Sequence, residues 1–157
     1  MMETASVKPA RKVLAIASGG GHWIQLLRMR PAFEGFETVY CSVHAEYAQQ
    51  VPGHRYFNVL DVSRRNPMGF FVIAWQMLWL LLRERPDVLV TTGAAPGLVA
   101  IVLSKPFGIR SLWVDSIANC ERLSTSGDIA RRFADRCVSQ WPDVARDSGL
   151  EFWGSVL

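Results

Sequence analysis

Gly19-Gly20-Gly21-His22 follows the apolar run Lys12–Ala17 and Ser18, and a helix-like pattern through Leu27 and Met29 comes next. A strand that passes through glycine into a helix leaves free N–H groups at the helix mouth. Glycines there permit a tight turn and close approach of a ligand. His22 stands at that mouth, where an imidazole can exchange protons with a bound group or simply cap the chain. Thr91-Thr92-Gly93-Ala94-Ala95-Pro96-Gly97 repeats the arrangement: a strand end, a small-residue loop and a helix start. Plain turn chemistry accounts for that second loop equally well. Asp115-Ser116 closes another strand and reads either as an acid/base or ligand group or as a helix cap. Ser124-Thr125-Ser126-Gly127 is either a phosphate-binding turn or an ordinary loop. His44 and His54 read as surface or packing residues.

The glycines exclude two familiar nucleotide sites. A dinucleotide fingerprint needs a third glycine where Trp23 or Ile24 stands, and an acidic residue after the second strand. No Gly-Lys-Ser/Thr is present, so a P-loop is excluded as well. What is left is a generic anion cradle, and two helix mouths beside one crevice suit a pyrophosphate or a sugar phosphate. The three cysteines, Cys41, Cys120 and Cys137, and the three histidines have no metal-ligand spacing. No metal and no cofactor are therefore expected, and the thiols read as reduced and structural.

These loops need strands to carry them. The chain has 157 residues, half of them apolar, six of them Trp, with a formal charge of +3. That is one globular domain, too weakly basic to argue for nucleic acid and suited to an anionic surface or a phosphorylated ligand. Apolar runs at Lys12–Ala17, Thr38–Val43, Arg55–Val59, Asp87–Thr91, Arg110–Val114 and Arg136–Ser139 read as strands. Helical segments are expected over about 22–32, 46–50, 98–104, 129–134 and 142–147. Alternation of nearly continuous apolar strands with helices predicts α/β architecture. The expected fold is a single doubly wound, Rossmann-like parallel sheet of about six strands with helices on both faces. Ligands of such sheets bind above the carboxyl ends of the strands, where loops 18–22, 61–66, 91–97 and 115–127 fall. Residues 1–11 are expected to be a flexible tail without a signal peptide, and 12–157 the domain.

Met68–Leu82 holds one polar residue, Gln76, in fifteen. Such a helix spans about 22 Å and falls short of a bilayer crossing. A helix packed on a sheet normally keeps a polar outer face, and this one has none. Phe70, Phe71, Trp75 and Trp79 together with the flanking Arg64 and Arg65 therefore point to a membrane interface or a partner, against the alternative of a wholly buried helix.

Ser18-Gly-Gly-Gly-His22, Thr91-Thr-Gly-Ala-Ala-Pro96, Val114-Asp-Ser-Ile-Ala-Asn119 and Arg122-Leu-Ser-Thr-Ser-Gly127 together resemble one oligosaccharide-biosynthesis family. It contains the ALG-fourteen-type subunit of the dolichol-pathway N-acetylglucosamine transferase and bacterial PssD-type polysaccharide glycosyltransferase subunits. Gln140-Trp-Pro142 with Gly154 and Leu157 is similar to the family's closing segment. The resemblance implies the N-terminal, acceptor-side half of a MurG-like GT-B glycosyltransferase, with a partner subunit holding the UDP-sugar. It implies a polyprenyl-pyrophosphate-linked saccharide as acceptor and a place on the cytoplasmic face of the cell membrane.

By the same resemblance, Gly19–His22 line the acceptor site, with His22 the candidate base and Asp115 the second catalytic candidate. Ser18, Gly19, Gly20, Gly21, Thr92, Gly93, Ala94, Pro96, Ser116, Asn119, Ser124, Ser126 and Gly127 are the candidate acceptor- and phosphate-binding residues. Asp115 stands where the family often has glutamate. Dolichol-pathway members usually carry an N-terminal anchor; here the Met68–Leu82 helix would dock instead. The expected function is the acceptor-binding, membrane-docking subunit of a two-component inverting glycosyltransferase. A non-catalytic recruiter of a partner enzyme and a stand-alone nucleotide- or NAD-binding enzyme are the alternatives.

Overall fold

The computed structural model describes residues 11–62 and 67–156. Seven strands form one sheet: β1 Lys12–Ile16, β2 Glu37–Ser42, β3 Arg55–Asn58, β4 Val88–Thr91, β5 Arg110–Val114, β6 Arg136–Ser139 and β7 Glu151–Phe152. Their order is β3-β2-β1-β4-β5-β6-β7, and every pairing is parallel. The helices are α1 Gly21–Arg28, α2 Pro67–Glu84, α3 Ala94–Ser104, α4 Thr125–Ala130 and α5 Pro142–Ser148. From β1 the chain winds outward through β2 to β3; after α2 it returns to β4 and winds the other way. The order thus reverses between β1 and β4, and in such sheets the crevice above that switch point is where ligands bind.

β1 is buried on both faces because both are covered. On one face Leu14, Ile16, Leu89 and Trp113 pack with Ile73, Met77 and Leu80 of α2 and Ala100 and Ile101 of α3. On the other, Val13, Ala15 and Val90 pack with Trp23 and Leu26 of α1 and with Tyr40.

The doubly wound sheet is as expected, with differences in detail: besides those that follow, the 46–50 segment is a 3-10 turn, Ala45–Gln50, and the helix expected over 98–104 already starts at Ala94. β7 is a seventh strand; its two residues pair with Val138 and Ser139 and are too few to show any period. The first helix ends at Arg28 and continues as a 3-10 turn, Arg30–Phe33, because Pro31 has no N–H to extend an α-helix. The helix expected over 129–134 lies earlier, at Thr125–Ala130. Ser124 caps it, its Oγ accepting from the Gly127 N–H at 2.9 Å, so 124–127 is a helix start and not a free turn.

Among the described residues no helix is long and apolar enough to cross a membrane. α2 buries Ile73, Met77, Leu80 and Leu81 and leaves Met68, Phe71, Val72, Trp75, Trp79 and Leu82 in solvent. Phe71 is 74% and Trp75 70% exposed, so the wholly buried alternative does not hold. Phe70, one residue and about 100° away, is the exception to the expected outward set: it turns inward and packs against the core. Arg64, Arg65 and the tail before Arg11 lie outside the described residues.

Candidate functional site

The loop from β1 into α1 is held from below by aromatic packing. Trp23 stacks on Tyr47 at 4.9 Å between ring centroids and donates from Nε1 to Gln50 Oε1 at 2.9 Å. The Tyr47 hydroxyl accepts from the Gly20 N–H at 3.1 Å. Gly20 has φ 62° and ψ −131°, a left-handed bend for which glycine is suited. A Cβ on Gly19 would sit 2.4 Å from His44 Nε2, so the loop is pressed against that ring, and His44 serves as packing.

His22 is fixed from three sides. Its Nδ1 lies 3.1 Å from Ser18 Oγ, and its carbonyl accepts from Thr92 Oγ1 at 2.7 Å. Its ring lies against Gly93, where a Cβ would come within 2.9 Å of Cδ2 and 3.0 Å of Nε2. Gly93 has φ 129°, and Ala94 follows at φ 64°, a left-handed alanine that costs roughly 1–3 kcal/mol. Thr91 closes the same turn, its Oγ1 accepting from the Gly93 N–H at 3.2 Å. The β4–α3 loop is therefore built around the imidazole. Burial pushes the His22 pKa below the ordinary histidine value, and the nearby Asp115 charge opposes that shift. The ring is thus neutral at neutral pH. The Ser18 hydroxyl can accept from Nδ1–H or donate to a bare Nδ1; in the first arrangement Nε2 retains its lone pair for a proton.

Asp115 is 1% exposed and its carboxylate receives four donors. Trp113 Nε1 donates to Oδ1 at 3.0 Å and Ser124 Oγ at 2.5 Å; Asn119 Nδ2 donates to Oδ2 at 3.0 Å and the Ser124 N–H at 3.1 Å. A carboxylate so saturated organises the loop and has no direct route to a substrate proton. It is not the helix cap that the sequence allowed as an alternative: no helix starts directly after it, and the next one, α4, is capped by Ser124. Gln25 and Gln140, both buried, each donate to the Asp115 carbonyl, at 3.2 and 3.0 Å. Gln25 Oε1 also accepts from the Ile117 N–H at 3.1 Å. Sequence reasoning gave neither glutamine a role at the site: Gln140 entered only as part of the closing Gln140-Trp-Pro142 segment, and for Gln25 the available signal was a lone Gln on the apolar face of α1.

A cavity of about 760 Å³ opens beside His22 at the carboxyl ends of the strands. Of the sequence-predicted residues, His22, Ala94, Ser116, Asn119, Ser124 and Ser126 line it. Ser18, Gly19, Gly20, Gly21, Thr92, Gly93, Pro96 and Gly127 are not part of its lining: Gly20 and Gly21 are exposed, whereas Thr92, Gly93, Pro96 and Gly127 are buried. Gly127 leaves room for Asp115, whose Oδ1 would lie 2.7 Å from an added Cβ. Phe70, expected on the outer face, lines the cavity together with Val62, Leu98 and Ile129, which no motif marked. Among the described residues no three His, Cys, Asp or Glu side chains gather as metal ligands.

Comparison with known proteins adds an independent line. The family profile described as "Oligosaccharide biosynthesis protein Alg14 like" matches residues 44–156. The UDP-N-acetylglucosamine transferase subunit ALG14 of Eremothecium gossypii is 37% identical over 82 residues, which is 48% of this chain and 37% of that protein. Its Mus musculus counterpart is 33% identical over 80 residues, 47% of this chain and 37% of its own length. The matched stretch is thus well under half of either relative. Acinetobacter baumannii MurG superposes with a TM-score of 0.71 at 13% identity, covering 85% of this chain and 43% of the enzyme. A UDP-N-acetylglucosamine 2-epimerase from Rickettsia bellii gives 0.69 at 17% identity, covering 94% and 45%. At such identities the likeness is one of fold: a Rossmann-like domain matching the N-terminal half of a GT-B architecture.

Proposed function

This chain belongs to the Alg14-like oligosaccharide-biosynthesis family, and from that premise we propose that it is the acceptor-binding, membrane-docking subunit of a two-component inverting glycosyltransferase. A separate subunit carries the UDP-sugar, and the acceptor is a polyprenyl-pyrophosphate-linked saccharide. One observation carries the reading: a neutral, tightly positioned imidazole faces a cavity at the sheet's switch point, beside a helix whose outer stripe is apolar.

In this mechanism His22 accepts the proton of the acceptor hydroxyl as it attacks the sugar carbon of the donor, which inverts that centre. Ser18 anchors the ring through Nδ1, Gly93 packs against the ring, and Thr92 ties down the His22 backbone; in the tautomer that carries the proton on Nδ1, Nε2 is the accepting nitrogen. Asp115 acts through position: it holds Asn119 and Ser124 at the cavity wall and stabilises the imidazolium that forms. The N–H groups at the start of α1 and α3 offer favourable dipoles to a pyrophosphate. The apolar stripe of α2, with Arg83 and Arg85 at its end and Arg64 and Arg65 before it, keeps the subunit on the cytoplasmic face of the membrane beside its lipid-linked acceptor.

The test is reconstitution. The purified chain should transfer no sugar alone and should do so once a donor-binding partner is added. His22→Ala should then lower turnover by roughly 10²–10⁴-fold. Full activity of the chain alone would end the two-subunit reading. A second reading, a non-catalytic recruiter, draws on the family match beginning at His44, past the glycine–histidine loop; it predicts that His22→Ala leaves turnover unchanged.

A further inference from the structure

The cavity beside His22 is lined by two kinds of chemistry. Ser116, Asn119, Ser124 and Ser126 offer polar groups, whereas Phe70 of α2, Leu98 of α3 and Ile129 of α4 offer only carbon. That apolar lining does not stop at the cavity. Ala95, Leu98, Val99 and Val102 recur at helical spacing along one face of α3, and Val102 at its far end is exposed. α3 carries no charged residue from Ala94 to Ser104, and it packs directly against α2, whose own outer stripe is apolar. Apolar side chains thus extend beyond the cavity wall along α3, from Ala95 and Leu98 in the lining to Val102 at the surface. Ile129 and Phe133 add to them from the side of α4, exposed at 42% and 38%.

A pyrophosphate alone would leave most of such a cavity unused, since about 760 Å³ falls in the range that accepts a drug-sized organic ligand. It would also set a charged group against carbon. An amphiphile with an anionic head and a branched hydrocarbon tail matches both linings at once. We infer that the apolar part of this cavity, formed by Phe70, Ala95, Leu98 and Ile129, binds the first isoprenoid units of the acceptor lipid. The chain then recognises the tail as well as the head. This inference rests on the acceptor reading above.

Calorimetric titration of the purified chain with farnesyl pyrophosphate and with inorganic pyrophosphate tests it directly. The prenylated ligand should bind at least about tenfold more tightly. Leu98→Ser and Ile129→Ser, made separately so that one misfolded variant does not decide the matter, should shrink that preference while leaving inorganic pyrophosphate binding intact. Trp75→Ser should leave the preference unchanged, because that side chain lies on the outer stripe. Equal affinity for the two ligands in the wild-type chain, or a preference untouched by both groove substitutions, would overturn the inference. The titration needs no partner. A chain that prefers farnesyl pyrophosphate yet transfers no sugar with any donor subunit would uphold the groove and sink the acceptor reading alone.

Discussion

His22 is held in a neutral state by its surroundings, and this has a measurable consequence. Its pKa is lowered by burial, with Asp115 pulling the other way. If the free imidazole is the base, turnover of the reconstituted complex should stay flat as pH falls to the ordinary histidine value of about 6.5. It should decline only below that. The same shift has a stability sign. The unfolded chain takes up a proton near pH 6.5 that the folded chain refuses, so stability is lost as pH falls from there through the folded value. An acid limb at or above 6.5 would contradict the placement of the base. His22 was legible in the sequence because three glycines before a histidine at a strand end are unusual. Its neighbours Thr92 and Gly93 were legible as a loop. That Thr92 would hold the His22 carbonyl and Gly93 pack against its ring was not, because they lie some seventy residues away along the chain and meet it only across paired strands. Asp115 was marked as possible chemistry, yet its four hydrogen bonds make it a scaffold. Residue type alone does not say how many donors a fold will aim at a carboxylate.

At the level of elements, α2 is the informative one. Its periodicity separates a buried stripe through Ile73, Met77 and Leu80 from an exposed one through Phe71, Trp75 and Trp79, although both are apolar. The sequence showed that the helix had no polar face; only packing decided which face met the sheet, and it turned Phe70 inward. Arg83 lies over the Trp79 ring at 4.9 Å and the Phe57 ring at 5.5 Å, placing a cation at the end of the exposed stripe. Replacing Trp75 and Trp79 together by Ser should reduce binding to anionic lipid vesicles in a sedimentation assay by about tenfold or more. The urea midpoint should shift only slightly, by about 1 kcal/mol or less, because Trp75 is largely exposed and Trp79 gives up only its ring contacts with Phe57 and Arg83. Undiminished vesicle binding together with loss of partner co-purification would reassign the stripe to a protein interface.

Across the whole molecule, the two ends of the sheet do different work. At the carboxyl ends the loops are small, polar and strained around the cavity. At the amino ends charges tie the layers together: Glu84, fully buried at the end of α2, meets Arg55 of β3 at 2.9 Å and Lys12 of β1 at 3.5 Å, while Glu37 of β2 pairs with both cations. Glu84 Oε1 has no hydrogen bond among the described residues. Glu84→Gln keeps the shape and removes the charge that draws three elements together. It should lower stability by about 1–3 kcal/mol in urea unfolding without changing vesicle binding. An unchanged midpoint would mean that desolvation of the carboxylate already cancels its attraction to the cations.

By itself the sequence determined the class of fold, since nearly continuous apolar strands alternating with helices have one stable arrangement, a parallel sheet covered on both faces. It also determined which loops would lie above the carboxyl ends of the strands. Tertiary structure alone decided strand order, the seventh strand, and the start of the 124–130 helix. It also decided the assembly of the site from β1, β4, β5 and the α4 cap. Local sequence encodes period and turn chemistry within a few residues. Pairing between strands far apart in the chain, and the donors and carbon walls it brings around His22 and Asp115, are set only by the packing of the whole domain.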